Sequence, residues 1–247
     1  MNKFFGNVKY EFSKQIFKNQ SSLRSNLIDY FFSLGLKKDF KIIRGNVDIL
    51  DVKFDEKKSD YRGHLDQKKH VLSKSYFTST IPDFFVKIIK DNEDLIAEFL
   101  GKNFVTDKAL FFRNYNIPEY LESHDIYSNI WHLDSGAGFK LLKIFVLIED
   151  TNIDDGPFHF LERKDTINHW DQLRDRWSFD ILKELKKFKE QQILTGKRGD
   201  YLILSTSTCM HRASIPSKVR DMAQITIYPK WCKKYYKGYN YLEEFKG

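Results

Sequence analysis

The sequence contains two His-x-Asp tripeptides, a spacing of residues that can bind a metal ion. They are His64-Leu65-Asp66 and His132-Leu133-Asp134. Side chains i and i+2 of a β-strand point to the same face, so one strand can offer an imidazole and a carboxylate together. The second copy ends the strand-like run "YSNIWHLD", whereas the first lies in a charged stretch without apolar alternation. We therefore expect the second copy to hold a metal and the first to lie in a surface turn.

A third ligand has to come from a distant strand, and His211 in "CMHRAS" is the candidate. With His132 and Asp134 it would complete a two-His-one-carboxylate facial triad, which holds non-haem Fe(II) and leaves coordination positions open. Nine residues later, Arg220 enters an apolar strand, where a guanidinium needs an anion. The carboxylate of a small cosubstrate fits this need, and one of the chain's own carboxylates is the alternative.

The elements that must position these residues change character near residue 101. Before it, the spacing of apolar residues predicts helices in "SSLRSNLIDYFFSLG", "TIPDFFVKIIK" and "NEDLIAEFLG". After it come short aromatic and β-branched runs bounded by Gly, Pro, Asn and Asp, which predict strands. These runs are "KALFFRNYN", "YSNIWHLD", "LLKIFVLIE", "GPFHFL", "GDYLILS", "CMHRAS" and "VRDMAQITIYP", interrupted by the predicted helix "DILKELKKFKE". The pattern predicts a mainly β protein with supporting helices, built as a β-barrel or a double-sheet jelly roll.

The chain of 247 residues is long enough to bury a large core, and we interpret residues 1–247 as a single domain. Residues 1–100 are expected to form a mostly helical N-terminal support. Residues 105–230 would form the jelly-roll core, and residues 231–247 a basic aromatic tail.

Composition narrows the class of protein. The chain is 41% hydrophobic and 16% aromatic, which is typical of a globular protein. The net charge of +7 is spread along the chain without a nucleic-acid recognition motif, which disfavours a nucleic-acid partner. Cys209 and Cys232 are too few for a disulfide framework, and no signal peptide or membrane-spanning run is present, so a cytoplasmic location is expected.

Taken together, the motifs of residues 105–230 resemble the phytanoyl-CoA dioxygenase family of Fe(II)- and 2-oxoglutarate-dependent oxygenases. The resemblance rests on a combination of features in a fixed order. These are His-x-Asp, the Lys-led strand "KIFVLIED", the Asp-Gly-Pro-Phe turn, Gly-Asp, a distal His and an Arg. Two departures from the family pattern stand out, the first after the turn and the second at Asp134. The family usually follows its turn with Pro-Gly-Ser-His, and this chain has "FLERKD".

The resemblance implies that the jelly roll is a double-stranded β-helix (cupin-like) core. It also implies that His132, Asp134 and His211 hold the iron, with 2-oxoglutarate and O2 as the other reactants and succinate and CO2 as coproducts. The second departure concerns Asp134. The halogenating branch of the family has a small residue at this position, so the carboxylate implies hydroxylation or a related oxidation.

The resemblance also implies three residues that bind the cosubstrate. Arg220 would pair with the C5 carboxylate of 2-oxoglutarate. Lys143 would lie near the cosubstrate, although a strand-edge lysine pointing outward is the alternative. Asn114, in "FFRNYN", would face the same cavity.

Other polar and aromatic residues are interpreted as structural. His124 lies in a polar connection, and His159 alternates with Phe158 and Phe160, so it faces away from both and could border the substrate pocket. Cys209 shares strand parity with His211 but is assigned no chemistry. Trp131 and Phe145 are expected in the core or the pocket wall.

Three functions are compatible with these residues. The first is an oxygenase acting on a small molecule, which the basic charge suggests is anionic or carrier-linked. The second is a catalytically inactive metal-binding or ligand-recognition module, against which the intact set of ligands and Arg220 argues. The third is an oxygenase that modifies a macromolecule, supported only by the basic tail.

Overall fold

A computed structural model describes residues 39–49, 51–61, 71–119, 128–134, 140–169, 188–230 and 243–244. The helices are α1 Asp83–Asp91, α2 Glu93–Leu100 and α3 Arg163–Asn168. The strands are β1 Ile43–Asn46, β2 Asp60–Tyr61, β3 Ser73–Phe77, β4 Val105–Thr106, β5 Leu110–Tyr115, β6 Leu142–Leu147, β7 Phe158–Phe160, β8 Gln192–Leu194, β9 Asp200–Leu204, β10 His211–Ala213, β11 Val219–Tyr228 and β12 Glu243–Glu244.

The strands form two antiparallel sheets. The major sheet has nine strands in the order β1-β9-β6-β11-β5-β3-β2, with β4 pairing β11 and β12 pairing β4. The minor sheet has the order β10-β7-β8. From β6 to β11 the chain passes back and forth between them: β6 lies in the major sheet, β7 and β8 in the minor one, β9 in the major, β10 in the minor and β11 in the major. This is the predicted double-stranded β-helix, or jelly roll.

The two faces of the major sheet bury different clusters because side chains alternate along each strand. In β6, Ile144 and Val146 pack on the outer side with the helices. Phe145 and Leu147 pack on the inner side, against residues of the minor sheet. Lys143 has the parity of Phe145, so it lies on the inner face.

Helices α1 and α2 cover the outer face, as the sequence predicts. Pro82 precedes α1, where its missing N–H costs no helical hydrogen bond. Phe85, Ile88 and Ile89 are at most 1% exposed, and the burial of each such side chain stabilises the fold by about 1.5–3 kcal/mol. Helix α2 ends at Gly101, whose φ of 93° suits a residue without a Cβ.

One predicted strand is wrong in the described residues. The run "YSNIWHLD" makes no strand between residues 128 and 134, but a single bridge in which His132 and His211 exchange backbone hydrogen bonds of 3.0 Å. The ladder stops there because the amide of Asp134 donates to Thr206 O instead (3.0 Å). The extended backbone still keeps the His132 and Asp134 side chains near each other.

The N-terminal support is not purely helical, since its described part includes β1, β2 and β3, two of which flank the core strands. Residues 188–190 of the predicted helix "DILKELKKFKE" form an irregular turn. In the tail, β12 pairs with β4. The remaining parts of these two segments lie outside the described residues, as do the predicted helix 21–35, the tripeptide at His64, His124 and Cys232. No helix of the described residues has the length and apolarity needed to cross a bilayer.

Candidate metal centre

The three predicted ligands converge at one end of the inner face. One potential ligand atom from each of His132, Asp134 and His211 lies within 4.8 Å of the others. The Nε2 atom of His132 is 3.9 Å from Asp134 Oδ1, and that of His211 is 3.7 Å from Asp134 Oδ2. His132 and His211 are 8% and 3% exposed, so the group is shielded from bulk water.

The backbone selects which imidazole nitrogens face the centre. His132 Nδ1 lies 2.9 Å from Ile130 O, and His211 Nδ1 lies 3.0 Å from Cys209 O. A carbonyl only accepts, so each Nδ1 carries the hydrogen and each Nε2 is the unprotonated nitrogen. A metal-binding histidine is commonly oriented by such a bond from its other ring nitrogen. The donor set and its orientation therefore fit a divalent first-row metal.

The charges around the three side chains favour a carboxylate and neutral imidazoles. Burial alone raises the pKa of Asp134, but Lys143, with Nζ 2.8 Å from Oδ2, and the neighbouring His211 and His132 together hold this pKa well below its usual range. Burial, and then the adjacent His132, lower the pKa of His211 to about 3. Both states are those in which these groups bind a metal.

Arg220 and Asn114 lie further along the inner face. They are cross-strand partners on β11 and β5 and are 3% and 1% exposed. Ser73 of β3 donates to Asn114 Oδ1 (3.0 Å), which fixes the amide. Arg220 Nη1 donates to Gly156 O and to Ser214 O (3.5 Å for the second).

The Asp-Gly-Pro-Phe turn supplies one of these acceptors. Gly156 has a φ of 70°, and a Cβ there would overlap the backbone of Pro216. Glycine is therefore required both by conformation and by space. The turn packs against the connection from β10 to β11 and brings the Gly156 carbonyl to the guanidinium.

His159 has a partner that alternation alone does not reveal. Phe158 and Phe160 pack in the inner cluster, and His159 faces away from them, as predicted. Its Nε2 is hydrogen-bonded to Ser214 Oγ, next to the carbonyl that accepts from Arg220. Burial, and then the nearby Arg212, lower the pKa of His159 to about 4, so it is neutral at physiological pH.

The structure separates Lys143 from the other predicted cosubstrate residues. Lys143 pairs with Thr226 on β11, six residues from Arg220, which corresponds to about 20 Å of strand. Its ammonium contacts Asp134 at the end of the inner face where the three candidate metal ligands, His132, Asp134 and His211, converge, the metal end. Trp131 and Phe145 are core residues, which agrees with the prediction: Trp131 packs on Phe188, and Phe145 on Phe158. Cys209 is buried in the inner cluster.

Two polar residues at the metal end have no counterpart among the predicted ones. Tyr228 donates to Asp107 Oδ2 (2.8 Å). Burial raises the pKa of Asp107 to about 6, and this hydrogen bond and the nearby Lys143 oppose the rise. Asp107 follows a two-residue strand and matches no motif, so it is recognised from its spatial neighbours and not from the sequence. The sequence signal that could have pointed to Tyr228 is its parity with Arg220 on β11.

No protein-family model and no curated protein matches the sequence. Among solved structures, the fold is similar to that of SnoN, a non-haem α-ketoglutarate-dependent epimerase from nogalamycin biosynthesis. The identity is 12%, the TM-score is 0.43, and the match covers 68% of this chain and 65% of that one. The α-ketoglutarate-dependent carbocyclase SnoK, from nogalamycin biosynthesis, is 10% identical with a TM-score of 0.45, over 78% of this chain and 79% of that one.

A third similar structure is HygX from Streptomyces hygroscopicus, which was crystallised with nickel and 2-oxoglutarate. It is 12% identical with a TM-score of 0.45, over 64% of this chain and 70% of that one. The likeness is one of fold.

Proposed function

We propose that this protein is a non-haem Fe(II)- and 2-oxoglutarate-dependent dioxygenase that hydroxylates or otherwise oxidises a small molecule. The observation that carries the proposal is the convergence of two imidazoles and one carboxylate, with both Nδ1 atoms hydrogen-bonded to backbone carbonyls so that Nε2 is the unprotonated ring nitrogen. A buried arginine on the same inner face provides a site for a carboxylate.

In this proposal His132, Asp134 and His211 hold Fe(II), which with 2-oxoglutarate and O2 supplies the oxidising chemistry. Arg220 binds the distal carboxylate of the cosubstrate, and Asn114 provides an amide beside it. Gly156 O and Ser214 O hold the guanidinium in place. The inner cluster around Phe145 and Phe158 keeps water away from the reacting groups.

The test is an anaerobic absorption spectrum of the full chain with Fe(II), before and after addition of 2-oxoglutarate. We expect a weak visible charge-transfer band only when both are present. His132→Ala should abolish the band. Arg220→Ala should raise the 2-oxoglutarate concentration needed for half of the band by roughly tenfold, because one charge-assisted contact is lost. His64→Ala, in the other His-x-Asp tripeptide, is the matched control and should leave the band unchanged. If the folded wild-type protein gives no band, the proposal is wrong.

A further inference from the structure

A β-bulge lies beside the metal end of the major sheet. Thr106 pairs with Ile227, and Leu110 pairs with Gln224. Three residues on one strand, 107–109, therefore face two on β11, 225 and 226. The amide of Asp107 donates to Thr226 O within the bulge (3.0 Å). One extra residue in a strand reverses the alternation of side chains beyond it.

The bulge places Asp107 on the inner face. Phe104 and Ala109 are five residues apart, and strict alternation would send them to opposite faces. Both nevertheless pack in the outer cluster. The extra residue of the bulge therefore lies between them. Thr106 faces outward, so Asp107, the next residue, lies on the same side as Thr226 and Tyr228. Bulges that redirect a side chain are frequent next to active sites.

The neighbours of Asp107 connect it to the metal end. Thr226 is the cross-strand partner of Lys143, whose ammonium lies 2.8 Å from Asp134 Oδ2. Lys143 also acts electrostatically on Asp107. Asp107 accepts a hydrogen bond from Tyr228, which is 8% exposed. A second carboxylate thus lies on the inner face, within electrostatic range of the lysine that contacts Asp134, and a tyrosine hydrogen bond orients it.

This carboxylate has a hydrogen-bond donor but no ion-pair partner among the described residues. Within the part of the chain that the structure describes, no lysine, arginine or histidine forms an ion pair with Asp107, and the ammonium of Lys143 is engaged by Asp134. Burial raises the pKa of Asp107 to about 6, so the group is an anion at neutral pH. A partly desolvated anion beside a ligand site favours a cationic ligand.

We propose that Asp107, oriented by Tyr228, binds an ammonium group of the substrate, so that the substrate class is a small molecule bearing an amine. This inference rests on the proposed function and names the substrate class of that site. It replaces the expectation of an anionic substrate, because the net charge of +7 belongs to the whole chain and the field at the metal end is set by the nearest groups.

The experiment measures binding to the full chain loaded with Ni(II) and 2-oxoglutarate, in which nickel prevents turnover. Isothermal titration calorimetry compares two matched series: 1,6-diaminohexane, 1,6-hexanediol and adipate, and glucosamine, glucose and glucuronate. We expect the amine of at least one series to bind roughly tenfold more tightly than its neutral and acidic analogues. Equal affinities, no binding in either series, or a preference for the acids would overturn the proposal.

Variants separate a binding role from a structural one. Asp107→Asn keeps the size and the acceptor for Tyr228, and it should remove the preference for the amine. Asp107→Glu should retain part of it, and Asp91→Asn, on the exposed surface of α1, should retain all of it. If Asp107→Asn keeps the preference, Asp107 does not bind the amine. Loading with Ni(II) and 2-oxoglutarate reports on the proposed function separately, since it depends on the triad and Arg220.

Discussion

Two partly buried carboxylates at the metal end have opposite pKa shifts. Burial raises the pKa of both, and their neighbours decide the outcome. Asp134 has the Lys143 ammonium at 2.8 Å and two imidazoles beside it, and its pKa falls. Asp107 has one hydroxyl partner and the same ammonium at longer range, and its pKa rises to about 6. The position of a single ammonium group therefore contributes to the opposite pKa shifts of the two carboxylates.

The raised pKa of Asp107 predicts how the stability of the metal-free protein depends on pH. Between about pH 4 and pH 6 the folded state binds a proton that the unfolded state has lost, so the free energy of unfolding rises as pH falls through this range. Asp107→Asn should remove this contribution, about 1–3 kcal/mol. Urea unfolding of both proteins at pH 7 and pH 5 measures the difference, and parallel pH profiles would contradict it.

Strand β11 links the inner face to an ion network on the outer face. Arg220 points inward, and the next residue, Asp221, points outward and accepts two bonds from Arg113 (2.6 and 2.5 Å). Arg113 also contacts Glu56 at 2.5 Å and lies over the ring of Phe54. The network joins the segment before β2 to β5 and β11 at the level of Arg220.

Removing the buried partner in this network should destabilise the fold. Asp221 is 6% exposed, and Asp221→Ala leaves the Arg113 guanidinium with Glu56 as its one remaining carboxylate partner among the described residues. We expect a loss of about 2–3 kcal/mol in the free energy of unfolding, below the value for a fully buried pair because Arg113 is partly exposed. Urea denaturation measures it. Asp91→Ala, which breaks the exposed Lys87–Asp91 pair of α1, is the control and should have little effect.

The three candidate metal ligands come from separate parts of the jelly roll. His132 and Asp134 belong to an extended segment, and His211 begins β10 in the minor sheet. The bridge between His132 and His211 joins them through the backbone. An ion held by all three would connect these segments in the folded state only, because the unfolded chain does not hold them together.

Metal binding should therefore stabilise the chain. At a metal concentration one hundred times the dissociation constant, the gain is about 2.7 kcal/mol, which corresponds to a rise in Tm of roughly 5–10 °C for a chain of this size. Differential scanning calorimetry with Ni(II), and after its removal with EDTA, checks this. His211→Ala should lose the shift, and His169→Ala should keep it. An equal shift in His211→Ala would show that the metal binds elsewhere.

Features that depend on local period and residue type could be predicted from the amino-acid sequence. Helices α1 and α2, most of the core strands and the three converging ligands follow from alternation, turn residues and the chemistry of His and Asp. Only the tertiary structure decided which groups meet across strands. The partner of Lys143, the carbonyls that hold Arg220 and the inward direction of Asp107 depend on register, and one extra residue in a bulge reverses it. Register is set by pairing between segments more than one hundred residues apart, as in Thr106 with Ile227, and no local pattern encodes it.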